Sequence, residues 1–259
     1  MRTLWVNPAH NVMYGVFQHT VATYSLSSTG QPTFITSTAP STDSVWGFDF
    51  MPQGPYAYAA IQNGNPRAGF QTPEIHLLTM SDDGSLSDSR SVVTLPNASG
   101  IAGDLKIDPS GKFVVVSNGQ RNEQLSVYAI QSDGSLSEVP GTPFSTGAEQ
   151  LRYMAFDSTG KSFYAVNQHA EEPQAESVEV FSFDQSTGKL TPIQTLDQPN
   201  EQNVTWLSVD GNLVYLTNVM EGTHSTITVF NRDANTGQLT QATVANVNNA
   251  LGQTEVLHE

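Results

Sequence analysis

The stretch "DPSGKFVVVSN", residues 108–118, returns as "DSTGKSFYAVN" at 157–167. Both copies run acid, small residues, Gly, Lys, then an alternating segment that ends in Asn. The phrase belongs to a longer unit that occurs five times. Its clearest marker is a later turn: "SSTG" at 27–30, "SDDG" at 81–84, "QSDG" at 131–134, "QSTG" at 185–188 and "ANTG" at 234–237. The marker glycines Gly30, Gly84, Gly134, Gly188 and Gly237 lie 54, 50, 54 and 49 residues apart. An alternating run precedes each one: "VATYSL", "EIHLLTM", "LSVYAI", "SVEVFSF", "TITVF". Asp-Gly and Thr-Gly turns between alternating runs predict β-hairpins, because glycine accepts the positive φ that such turns demand.

Each unit therefore reads as four short antiparallel strands with tight turns after the first and third. In the fourth unit these are "LRYMAF", "SFYAVN", "SVEVFSF" and "LTPIQTL". A period near 50 residues with four strands per repeat predicts an all-β fold, a β-propeller of four-stranded blades. The repeats fall at about 2–41, 42–96, 97–146, 147–199 and 200–244 within a single domain, with a tail at 245–259.

Composition agrees and excludes several functions. Of 259 residues only 14 % are charged, and 20 are Gly and 14 Pro, a strand-and-turn profile. No apolar run approaches the roughly 20 residues of a membrane helix, and "MRTLWVNPAHNVMYG" lacks a signal-peptide core, so a cytoplasmic chain is expected. With no cysteine there is no disulfide, thiolate chemistry or Cys-based metal site. The net charge of -15 repels phosphate backbones and anionic lipid, so neither nucleic acid nor membrane is an expected partner. No G-x-S-x-G, H-E-x-x-H or phosphate-cradling loop occurs. "SDDGSLSDS" lacks the closing Glu of a calcium loop and reads as a hairpin; no cofactor or metal is expected.

In a propeller the Gly-marked hairpins share one face. The second-to-third strand loops and the links between blades share the other. The latter vary, and function sits on variable loops carried by a rigid scaffold. They hold Arg121 in "NGQRNEQ", Gln168, His169 and Glu171 in "NQHAEEPQAE", and His224 in "NVMEGTHS". Arg152 opens an innermost strand, which aims it at the central channel. Asn63, Asn118, Asn167 and Asn218 each end a second strand and read as turn caps.

With the repeats laid out, the chain resembles the seven-bladed lactonase family, which includes propeller-type 6-phosphogluconolactonases and fungal carboxymuconate cyclases. "VYAIQSDGSL" and "VFSFDQSTGKL" are similar to the family's blade text, although five units are found rather than seven. The family's "P-R-H-L-A-F" corresponds to Leu151-Arg152-Tyr153-Met154-Ala155-Phe156, which keeps the Arg and replaces the His. Its "Y-V-x-N-E" corresponds to Tyr164-Ala165-Val166-Asn167-Gln168, and its "A-E-I-H-V" to Asn203-Val204-Thr205-Trp206-Leu207. Its "S-N-R" becomes Thr217-Asn218-Val219.

The resemblance implies hydrolysis of a small cyclic ester such as a sugar lactone. Arg152 would be the substrate or oxyanion cation and His169 or Glu171 the base, with Arg121, Gln168, Trp206 and His224 contacting substrate. The partner would be a small lactone or carbohydrate-like ligand and the protein a monomer. The substitutions at Tyr153, Gln168, Val204, Trp206 and Val219 keep an alternative open, a non-catalytic propeller serving as a binding platform.

Overall fold

The computed structural model describes residues 3–51, 54–62, 64–65, 69–70, 72–95, 103–118, 124–146, 151–167, 176–198, 204–219 and 225–247. They form five four-stranded antiparallel blades in a propeller arrangement. Blade 1 comprises β1 (Thr3–Asn7), β2 (Val12–Val16), β3 (Val21–Leu26) and β4 (Pro32–Thr38). Blade 2 comprises β5 (Ser44–Phe50), β6 (Tyr56–Gln62), β9 (Glu74–Met80) and β10 (Leu86–Thr94), with a small hairpin of β7 (Gly64–Asn65) and β8 (Gly69–Phe70) between its middle strands.

In blade 3, β11 (Leu105–Ile107), β12 (Phe113–Ser117) and β13 (Gln124–Ile130) are followed by a divided outer strand, β14 (Leu136–Glu138) and β15 (Phe144–Ser145), both paired with β13. Pro140 and Pro143 fall between the two pieces, where the missing N–H groups interrupt a ladder. Blade 4 is β16 (Leu151–Phe156), β17 (Ser162–Asn167), β18 (Glu176–Asp184) and β19 (Lys189–Gln198). Blade 5 is β20 (Val204–Asp210), β21 (Leu213–Val219), β22 (Ser225–Arg232) and β23 (Leu239–Val247). No helix among the described residues is long and apolar enough to cross a membrane.

The repeated acid of the opening phrase has a definite job. Asp108, 1 % exposed, accepts hydrogen bonds from the backbone N–H of Ser110, Lys112 and Phe113, so it closes the β11–β12 hairpin from inside. Asp157 does the same in blade 4 through the Thr159 and Ser162 amides. The later turns lock blades together. Tyr14, Tyr58 and Tyr164, all fully buried, each donate a hydroxyl hydrogen bond to the carbonyl of the next blade's marker glycine, Gly84, Gly134 and Gly237.

Four apolar clusters fill the faces between blades 1 and 2, 2 and 3, 3 and 4, and 4 and 5. Among the described residues no such cluster joins blade 5 to blade 1, and their rings meet instead at the axis, Trp5 against Trp206. The outer part of blade 1 is correspondingly uncovered: Phe34 is 57 % exposed, and a Cβ placed on Gly30 meets nothing.

Candidate functional site at the propeller axis

The innermost strands β1, β5, β11, β16 and β20 converge on the axis, and three carboxylates stitch them together. Asp49 on β5 accepts the Ile107 amide at 2.8 Å, Asp104 just before β11 accepts the Met154 amide at 3.0 Å, and Glu176 at the start of β18 accepts the Val204 amide at 2.9 Å. In each case the carboxylate of one blade holds the first strand of the next.

Lys106 lies at the centre of this ring, 7 % exposed. Its ammonium is 3.1 Å from Asp104 and lies over Trp5 at 4.5 Å and Trp206 at 5.9 Å from the ring centres. An ammonium over an indole face is attracted by the ring quadrupole. Trp206, 8 % exposed, also meets Tyr153 with ring centres 6.0 Å apart.

Burial pushes the Asp49 carboxyl from 3.8 up to about 6, with the Lys106 charge pulling the other way. Burial likewise pushes the Tyr153 phenol up, Arg152 offsets part of the effect, and Asp104 and Glu176 push it further. Tyr153 therefore keeps its proton near neutral pH. It can donate a hydrogen bond where a histidine would exchange a proton.

Of the residues expected from sequence, Arg152 and Trp206 are described. Arg152, part-exposed on β16, acts electrostatically on Tyr153, which joins it to Asp104 and Glu176 in one group at the loop-side mouth of the channel. Arg121, Gln168, His169, Glu171 and His224 lie outside the described residues. The asparagine caps need correction. Asn118, Asn167 and Asn218 are buried, and the last two donate across to the third strand, Asn167 to Ser177 and Asn218 to Thr226. Asn63 lies outside the described residues.

Below the mouth, on the hairpin side, a chamber of about 840 Å³ opens among the ends of the inner strands. Asp49, Lys106, Trp5 and Trp206 belong to its wall. Sequence reasoning passed over Asp49, Asp104, Lys106 and Trp5. The available signal was a charge inside an apolar strand, Asp49 in "FDF" and Lys106 in "LKI", since a buried charge demands a partner. Among the described residues no group of three or more His, Asp or Glu gathers as a metal site. Asp83 of the calcium-like run is engaged by the amide and hydroxyl of Ser85.

The model of the lactonase family of seven-bladed β-propellers matches residues 71–206, which include β9 to β19, Arg152 and Lys106. The chain belongs to this family. A probable 6-phosphogluconolactonase of Arthroderma benhamiae is 32 % identical over 114 residues, 41 % of this chain and 27 % of that protein. A 6-phosphogluconolactonase of Pectobacterium carotovorum is 31 % identical over 93 residues, 36 % of this chain and 25 % of that one. The matched stretch is thus about a quarter of the length of either relative. The solved periplasmic gluconolactonase PpgL of Pseudomonas aeruginosa superposes with a TM-score of 0.66 at 17 % identity, over 93 % of this chain and 71 % of that one. That last likeness is one of fold.

Proposed function

We propose that the protein is a lactonase-like propeller that hydrolyses a small cyclic ester, a sugar lactone being the leading class, at the loop-side mouth of its channel. The observation that carries the reading is the placement of Arg152. It stands where the family has its arginine and acts on the same half-buried phenol as Asp104 and Glu176. Lactone opening adds water to the carbonyl carbon, places negative charge on the carbonyl oxygen, then breaks the ring C–O bond to release a hydroxy acid. A permanently charged guanidinium stabilises that oxyanion. Tyr153, held protonated, adds a donor beside it. The base that takes the proton from water is assigned to His169 or Glu171, with Arg121, Gln168, Trp206 and His224 as substrate contacts.

A second reading has its own support. Trp206 is packed between Trp5 and Tyr153, and Tyr153 replaces the family histidine, so the mouth is more apolar than a hydrolytic site requires. A binding platform that has lost catalysis fits that filling. Arg152→Ala separates the two: hydrolysis above the spontaneous rate vanishes under the first reading, and under the second there is no acceleration to lose.

A monomeric, cytoplasmic protein acting on a small molecule goes with the hydrolytic reading. Subcellular fractionation distinguishes this from the periplasmic setting of PpgL.

A further inference from the structure

The chamber opens on the hairpin side, at the other end of the channel from the Arg152 mouth. Its wall includes Phe156, Asp157 and Ser158, at the far end of β16 from Arg152. Four residues of strand put the two ends about 13 Å apart. At about 840 Å³ it is large enough for a small organic molecule. Trp5, Phe50, Met154, Phe156, Trp206 and Val209 make most of the wall apolar.

Its polar features favour positive charge. Trp5 and Trp206 already face an ammonium, that of Lys106, so these ring faces are placed to attract cations. Four carboxylates, Asp49, Asp108, Asp157 and Asp210, and one ammonium, that of Lys106, line the wall and rim; Asp108 and Asp157 are engaged by the amides of their own hairpins. Lys106 is hydrogen-bonded to Asp104, and Arg232 is paired with Asp157, so each cation is already matched by an acid. Asp49 accepts amides from Phe50 and Ile107, and no ion pair forms on it among the described residues. Burial raises its proton affinity and the nearby Lys106 charge offsets only part of that.

We propose that this chamber is a second ligand site, which takes a small organic ammonium ion on an apolar, preferably aromatic, body. The ammonium sits against Asp49 and the body lies among Phe50, Met154, Phe156 and the tryptophans. The proposal does not require lactone hydrolysis: it uses neither Arg152 nor the loop-side residues and shares only Trp206 with the mouth.

The test is calorimetric titration of the full chain with three probes of one shape: 2-phenylethylamine, 2-phenylethanol and 3-phenylpropanoate. The ammonium is expected to bind at least tenfold more tightly than the alcohol, and the propanoate more weakly than either. Asp49→Asn should remove the preference for the ammonium, and Arg152→Ala should leave it intact. An alcohol that binds as well as the amine, a preference that survives Asp49→Asn, or no heat from any probe at millimolar concentration overturns the proposal. Should Asp49→Asn fail to fold, the wild-type pH profile decides. Affinity for the ammonium must rise between pH 5 and 7 as Asp49 ionises, while that for the alcohol stays level. A level ammonium profile overturns the assignment.

Discussion

The Lys106 ammonium lies 4.5 Å from the centre of the Trp5 ring and 3.1 Å from the Asp104 carboxylate, joining blade 3 to blade 1 across the axis. The contact matters because, among the described residues, blades 1 and 5 share no apolar cluster and their rings meet at the axis. Lys106→Met leaves Asp104 with only the Leu105 and Met154 amides. Stranding one partner of a largely buried pair costs about 2 to 4 kcal/mol. Adding Asp104→Asn removes the stranded charge and should restore more than half of the loss. Urea unfolding of the two single variants and the double variant measures this coupling; simple additivity would contradict it.

The Asp49 carboxyl gives a pH dependence of definite sign. Its folded value, about 6, lies above the unfolded 3.8. Between those values the folded chain keeps a proton that the unfolded chain has lost. Stability therefore falls as pH rises through that window, and the full cost of the buried charge is present above it. At 1.36 kcal/mol per pH unit the cost is at most about 3 kcal/mol. Asn at this position keeps an oxygen for the Ile107 amide and carries no charge. Asn gives up the acceptor of the Phe50 amide, so Asp49→Asn should fall slightly below wild type near pH 4 and gain on it by pH 7.5, as read by urea midpoints at the two values.

The marker glycines separate backbone strain from packing. Gly30 and Gly188 have almost the same φ, +76° and +75°, but a Cβ on Gly30 meets nothing and one on Gly188 falls 2.7 Å from the Phe113 ring. Gly30→Ala should cost only the left-handed strain, about 1 to 2 kcal/mol. Gly188→Ala adds overpacking of about 1 to 3 kcal/mol. Thermal melts should rank them clearly, and equal losses would mean that the blade 3–4 contact is not as described.

These glycines also mark what was legible in the sequence. Period, hairpins and the four strands of each blade follow from local rules, since Gly sets the turn and alternation sets the strand. The β3, β9, β16 and β17 segments coincide with "VATYSL", "EIHLLTM", "LRYMAF" and "SFYAVN". The axis was not legible. Lys106 meets Trp5 and Trp206 only after the blades have been arranged about a common centre, a relation between residues about 100 positions apart in sequence. The asparagines at the ends of the second strands looked like caps for the same reason: their partners, Ser177 and Thr226, are on the next strand, beyond a loop.

Arg232 binds blade 5 to blade 4. It donates to the Tyr164 hydroxyl at 3.0 Å and forms a buried ion pair with Asp157. Arg232→Met leaves Asp157, 1 % exposed, with an unmatched charge at a cost of about 3 to 5 kcal/mol. Tyr164→Phe, which removes the hydroxyl, its bond to Gly237 and the acceptor of the Arg232 Nε–H, should cost about 2 kcal/mol, less than the broken ion pair. Denaturant titration that finds the two variants equally damaged would contradict the ion pair as the stronger latch.

The most direct measurement is pH-stat titration of acid release from a panel of small lactones, 6-phosphogluconolactone and gluconolactone included, by folded wild-type protein and Arg152→Ala. Release well above the spontaneous rate is expected for at least one lactone, and its loss in the variant. A folded wild-type protein that accelerates none of them, or a variant that keeps the full rate, contradicts it.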